Sequence, residues 1–233
     1  MEYCGWLDSL LEVDRSLTPL GVFTAYTIVW TDNPRPYDFS SEVEKLIKYL
    51  TARYTLESLK SDPVFRAYRD FYWRIGIDPT KIRPSSEALV RRALRGSFPR
   101  INTVVDAGNI ASAYMGVPIG LYDVGRSTPP YRLTSSSGGE VFNPIGGKQE
   151  ILPKGIPILV DSSNIVMHLY PHRDSVETAI REDTSIVFVL GAGVPGVEEV
   201  RVVESVKKVA ELLSIPGWSS CGKVIVKKPA LRS

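Results

Sequence analysis

His168 and His172 stand four residues apart, the spacing at which two imidazoles on one helix face can share a zinc ion. Pro171 lies between them in a stretch that reads as extended, and proline breaks a helix, so this pair is not expected to hold metal. The run His172-Arg173-Asp174 sets a guanidinium beside a carboxylate and an imidazole, which either binds a carboxylate by charge-assisted hydrogen bonds or forms a structural cluster. Gly191-Ala192-Gly193-Val194-Pro195-Gly196 spells a dinucleotide-binding pattern between a predicted strand and a predicted helix. That reading needs an acid ending a second strand about 20 residues on. Glu211 falls inside the predicted helix instead, so a glycine-rich turn is expected. Gly146-Gly147-Lys148 has Gln149 where a phosphate loop needs Ser or Thr, and it too reads as a turn. No GxSxG elbow occurs, so any hydrolysis would use a positioned water rather than a protein nucleophile.

Charge gives a further candidate. The net charge of +2 favours no partner by itself, but residues 81 to 100 hold Lys81, Arg83, Arg91, Arg92, Arg95 and Arg100 against the single acid Glu87. Lys223, Lys227, Lys228 and Arg232 form a second basic strip. Either these strips face nucleic-acid phosphate or they are solvated faces of a folded protein. Cys4 and Cys221 lie near opposite ends with no metal-like spacing and are expected as free thiols. Apolar residues make up 43% of 233, enough for a substantial core, and no apolar run approaches the roughly 20 residues of a membrane span. A soluble cytoplasmic protein without metal or cofactor is expected.

Elements must position these groups. Val22 to Trp30 reads as a strand, rich in β-branched and aromatic residues. Ser41 and Glu44 spell a capping box for an amphipathic helix to about Leu59, and a second helix starts near Asp62-Pro63 with an aromatic set expected in the core. Pro84-Ser85-Ser86 opens a third helix, closed by Gly96, with Leu89, Val90, Ala93 and Leu94 on one side and Arg91, Arg92 and Arg95 on the other. Asn102 caps a fourth, Thr103 to Met115, which stops at Gly116. On it Asn102, Asp106 and Asn109 share a narrow arc, either as satisfied structural groups or as a pocket wall. Strands are expected at 131–134, 156–160, 165–169, 185–190 and 223–227, and a helix over 200–213.

Taken in order, several runs resemble one family: Pro84-Ser85-Ser86-Glu87-Ala88-Leu89, Arg91-Arg92, Pro99-Arg100-Ile101-Asn102, Val104-Val105-Asp106 with Asn109, and Pro118-Ile119-Gly120-Leu121-Tyr122-Asp123. The match continues through Gly139-Glu140, Asp161, Arg173 and Thr184 and covers about residues 70 to 215. It resembles the B3/B4 domain of the phenylalanyl-tRNA synthetase beta subunit, in its free-standing form. The resemblance implies an α/β fold, a mixed β-sheet core flanked by helices. Residues 81–233 would form the domain, and 1–80 a strand and helical lead-in packed on it.

In the synthetase this domain hydrolyses a wrongly attached tyrosine from tRNA, so the resemblance implies tRNA or aminoacyl-tRNA as partner, with no role for DNA or membrane. The family's editing threonine and histidine fall on Gly108 and Gly120 here. Losing such groups costs an editing site several kcal/mol, one positioned donor being worth roughly 2.7 to 4. The two glycines are expected to leave room for a larger or different ligand. The ligand pocket implied by the resemblance holds Asn109, Asp123, Arg132, Glu140, Asp161, Arg173 and Asp174, while Arg91, Arg92, Arg95 and Arg100 would touch RNA. Three readings follow: a domain binding tRNA or its aminoacylated end, a trans-acting aminoacyl-tRNA hydrolase, and a binder of free amino acids that does not use RNA.

Overall fold

The computed structural model describes residues 2–230. Strand β1 (Leu11–Val13) is too short to show a period in the sequence, whereas β2 (Phe23–Trp30) fills the strand expected there. Helix α1 (Ser40–Arg53) forms without the predicted capping box. Asp38 takes over that task, its Oδ1 accepting from the backbone N–H and the hydroxyl of Ser40. The helix also stops short of Leu59, because Thr55 and Ser58 satisfy each other's backbone and side-chain groups and turn the chain. Helix α2 (Pro63–Arg74) starts as its sequence demands, with Asp62 accepting from Val64 and Phe65. Phe65, Tyr68, Phe71 and Tyr72 are buried as core, and Trp73 is exposed. Helix α3 (Ser85–Leu94) is followed by α4 (Thr103–Met115), which Asn102 caps by accepting from Val105 N–H and Gly116 ends in the left-handed conformation.

The remaining elements are mostly strands: β3 (Ile119–Asp123), β4 (Tyr131–Ser135), β5 (Val141–Phe142), β6 (Glu150–Ile151), β7 (Pro157–Val160), β8 (Val166–Leu169), β9 (Arg173–Asp174) and β10 (Ile186–Gly193). Helix α5 (Glu199–Ser214), β11 (Ser219–Ser220) and β12 (Ile225–Lys227) follow. One sheet runs β11-β2-β10-β3, antiparallel throughout, with β12 also on β2. The other runs β1-β4-β7-β8-β9, with β1 parallel to β4 and the rest antiparallel. The chain is thus mixed α/β. Residues before 81 supply a strand to each sheet.

Side-chain alternation along the first sheet builds three layers. On one face Gly191 lies under Val202, Ser205 and Val206 of α5, and α4 packs against α5 and β3. On the other, Tyr122 meets His168 and Phe188 meets Tyr131 of the second sheet, with 4.8 Å between the Tyr131 and Phe188 rings, while Tyr26 packs on Phe188 and Tyr170, just past β8, packs on His168. Large side chains fully buried in such a seam contribute roughly 1.5–3 kcal/mol each. The Tyr170 hydroxyl crosses it, donating to the carbonyls of Phe23 and Gly193. The glycine-rich run is therefore strand packing more than turn: Gly191 and Gly193 lie within β10, where a side chain at 193 would collide with the Phe23 ring and one at 191 would press on α5.

The cysteines depart from expectation. Cys4 and Cys221 form a disulfide, their Cα atoms 5.4 Å apart across 217 residues of sequence. Pairing of β11 and β12 with β2 returns the end of the chain to its beginning, a closure that sequence distance hides.

Candidate functional site

A cavity of about 120 Å³ opens where α3 and α4 meet the start of β3 and the turn between β8 and β9. Asn109 enters from α4, Gly120 from β3, and His168, His172 and Asp174 from the turn and its strands. His168 and Asp174 are cross-strand partners in the β8–β9 pair. This register brings His168 Nδ1 to 2.9 Å from Asp174 Oδ1. A carboxylate on Nδ1 holds the imidazole with its proton there, leaving Nε2 as acceptor. His168 is buried and lines the cavity.

Two neighbours are buried polar groups without a hydrogen-bond partner among the described residues. One is Nδ1 of His172, whose pKa falls to about 4 through burial and then through the adjacent Arg173 charge, so the ring is neutral near pH 7. The other is the Tyr122 hydroxyl, which burial and then the Asp174 carboxylate close beside it hold protonated, although the two do not meet in hydrogen-bonding geometry. Tyr122 lies across Gly120, two residues before it on the same strand face, so any side chain at 120 would overlap its ring and hydroxyl. At Gly108 the same space belongs to Leu121. The glycines therefore do not enlarge the cavity. They admit Tyr122 and Leu121.

Of the polar residues expected in one pocket, the structure gathers Asn109 and Asp174 and disperses the others. Asp123 accepts from Gly125 N–H and the Thr184 hydroxyl at the end of β3. Asp161 accepts from the backbone of Thr128, Ser163 and Ile165. Burial would raise the pKa of Glu140, but backbone N–H groups around it, including Ser137 and Gly138, hold it below the usual range. Arg132 is exposed between buried Tyr131 and Leu133, on the face of β4 turned from the first sheet. Arg173 grips Glu150 through two 2.7 Å hydrogen bonds and lies over the Phe142 ring, outside the cavity. Asp123, Asp161, Glu140 and Arg173 thus meet the demands of turns and an ion pair close at hand, while Arg132 faces solvent. On α4 the polar arc splits, with Asn102 as cap and Asp106 accepting from Ile101 N–H and Arg100.

The arginines divide likewise. Glu87 is wholly buried, and Arg69 and Arg91 both bind its carboxylate at 2.6–2.7 Å. Arg100 is committed to Asp38 and Asp106. Arg92 and Arg95 are exposed and pair with no carboxylate among the described residues. In the second basic strip Lys223 pairs with Asp8 and Lys228 with Glu199, while Arg232 lies outside the described residues. Sequence reasoning treated His168 only as a poor metal ligand. A histidine and an aspartate on either side of a Pro171 turn were the signal for a hairpin pair. Among the described residues no cluster of His, Cys, Asp and Glu has metal-site geometry, and no helix is long and apolar enough to cross a membrane.

No match was found among curated proteins. An N-terminal fragment of the phenylalanyl-tRNA synthetase beta subunit from Pyrococcus horikoshii shares the fold at 18% identity and a TM-score of 0.50. The alignment covers 90% of this chain and 49% of that one, so the chain spans about half the fragment's length. The model of the B3/4 domain matches residues 67–210, more than half of the sequence. The chain belongs to the B3/4 domain family, and its fold is that of a tRNA-synthetase-related domain.

Proposed function

We propose that this protein binds tRNA at its aminoacylated end, with the terminal acyl group in the cavity beside Asn109, His168 and His172. One observation carries the reading: α3 lines the cavity with Ser85 and Leu89, and further along the same segment Arg92, and Arg95 just past the helix end, are exposed to solvent. A strand whose end enters the cavity would pass these two guanidiniums. The cavity is well below the roughly 300 Å³ of an ordinary ligand site, so it fits an acyl group and leaves the nucleotides outside. The test is tRNA affinity between about 50 and 200 mM salt. The double variant R92A/R95A should flatten the log–log slope by about 1.4, two contacts at roughly 0.7 each for a single strand. An unchanged slope refutes the placement.

A second reading, hydrolysis of that ester, is favoured by the His168–Asp174 pair. In this reading Asp174 holds Nδ1 and His168 Nε2 takes a proton from water as the water attacks the carbonyl, which the Nδ1–Asp174 contact and the place of His168 in the cavity lining support. The proton then passes to the departing ribose oxygen. Incubation with total aminoacylated tRNA and mass spectrometry of released amino acids tests this. Asp174→Asn should slow release roughly a hundredfold while tRNA binding persists. No release above a protein-free control leaves the binding reading alone.

A further inference from the structure

A larger cavity, of about 430 Å³, lies apart from the first, between the 34–37 turn, the start of α4, the 181–184 loop and Trp218. Its floor is rigid. The Thr103 hydroxyl accepts from Tyr37 N–H at 2.8 Å and donates to the Arg35 carbonyl at 3.1 Å, which latches the turn to α4. The Tyr37 ring stacks edge-on against buried Phe39. The polar groups beneath are already committed, Asp106 to Arg100 and Thr184 to Asp123.

Its walls carry three charged side chains that are not committed. Arg35, Arg181 and Glu182 line the cavity, are exposed, and form no ion pair among the described residues. Ile101 also lines it and leaves 66% of its surface uncovered, beside Tyr37 and Trp218. We infer that this cavity binds a free α-amino acid with an apolar side chain. The carboxylate meets Arg35 and Arg181, the ammonium meets Glu182, and the side chain covers Ile101. A ligand of phosphate-like charge fits less well, because Glu182 would face it without a counter-charge. An apolar acid lacking the amine leaves Glu182 unanswered in the same way. The volume falls within the range of small-molecule sites, roughly 300–1,000 Å³.

The test is calorimetric titration of the full chain with L-leucine, and in parallel with 4-methylpentanoate and 3-methylbutylamine, which lack its amine and its carboxylate. Leucine should bind saturably at millimolar concentration or below, and each analogue roughly tenfold more weakly. R35A/R181A should weaken leucine roughly tenfold with an unchanged melting profile, since both side chains are exposed. Glu182→Gln should weaken leucine and not 4-methylpentanoate. R92A/R95A should bind leucine normally, which separates this site from the tRNA reading. Absence of saturable leucine binding, equal binding of 4-methylpentanoate, or unaltered binding by R35A/R181A overturns the inference.

Discussion

At the scale of single residues, the site is defined by groups whose ordinary chemistry burial has altered. His172 shows this most clearly. Its pKa is 6.5 in an open chain and about 4 in the fold, so the unfolded chain binds more protons between those values. Its contribution to stability is complete above pH 6.5 and is lost as pH falls toward 4. The loss is on the order of 2–3 kcal/mol. In denaturant titration from pH 7 to 4, wild type should lose that much more stability than His172→Gln as pH falls. Parallel curves would mean that the ring is solvated. Residue identities alone located Gly108 and Gly120, but not what their lack of side chains is for. Tyr122 and Leu121 occupy that volume, which follows from strand alternation only once β3 is known to be a strand.

At the scale of elements, legibility followed local chemistry. Helix α4 was readable to its ends because Asn102 and Gly116 determine the cap and the stop within the segment. Helix α1 was misjudged at both ends because Asp38 and the Thr55–Ser58 turn do there what its own sequence was expected to do. Helix α3 shows the same limit at its charged face. Its arginines read as one basic cluster, yet Arg91 joins Arg69 of α2 in a triad around the buried carboxylate of Glu87. Burial alone would raise the Glu87 pKa, and the two guanidiniums overcome it and hold the carboxyl below its usual range. Glu87→Gln should therefore destabilise the fold by about 3 kcal/mol in urea unfolding, since it leaves two partly buried cations unanswered. A loss below about 1 kcal/mol would show that water solvates the pair.

At the scale of the whole molecule, long-range closure dominates, and the sequence does not display it. Three-residue β1 finds β4 across more than a hundred residues, and Cys4 finds Cys221 across nearly the entire chain. On the chain-entropy argument a disulfide spanning 217 residues stabilises by about 5 kcal/mol, because it restricts the unfolded state. C4S/C221S, or reduction of the wild type, should lower the midpoint of denaturation accordingly. The pairing of β2, β10 and β3 should stay intact, since neither cysteine belongs to these strands. These scales meet at one place: the family fold brings Asn109, His168 and His172 to one cavity beside α3, where Arg92, and Arg95 just past its end, are exposed. The most direct measurement is the affinity of the protein for aminoacylated tRNA against the same tRNA deacylated, in wild type and in Asn109→Ala. Wild type should bind the aminoacylated form more tightly, and the variant should lose that preference. Equal affinity for the two forms, or no binding of either, would contradict binding of the acyl group in this cavity.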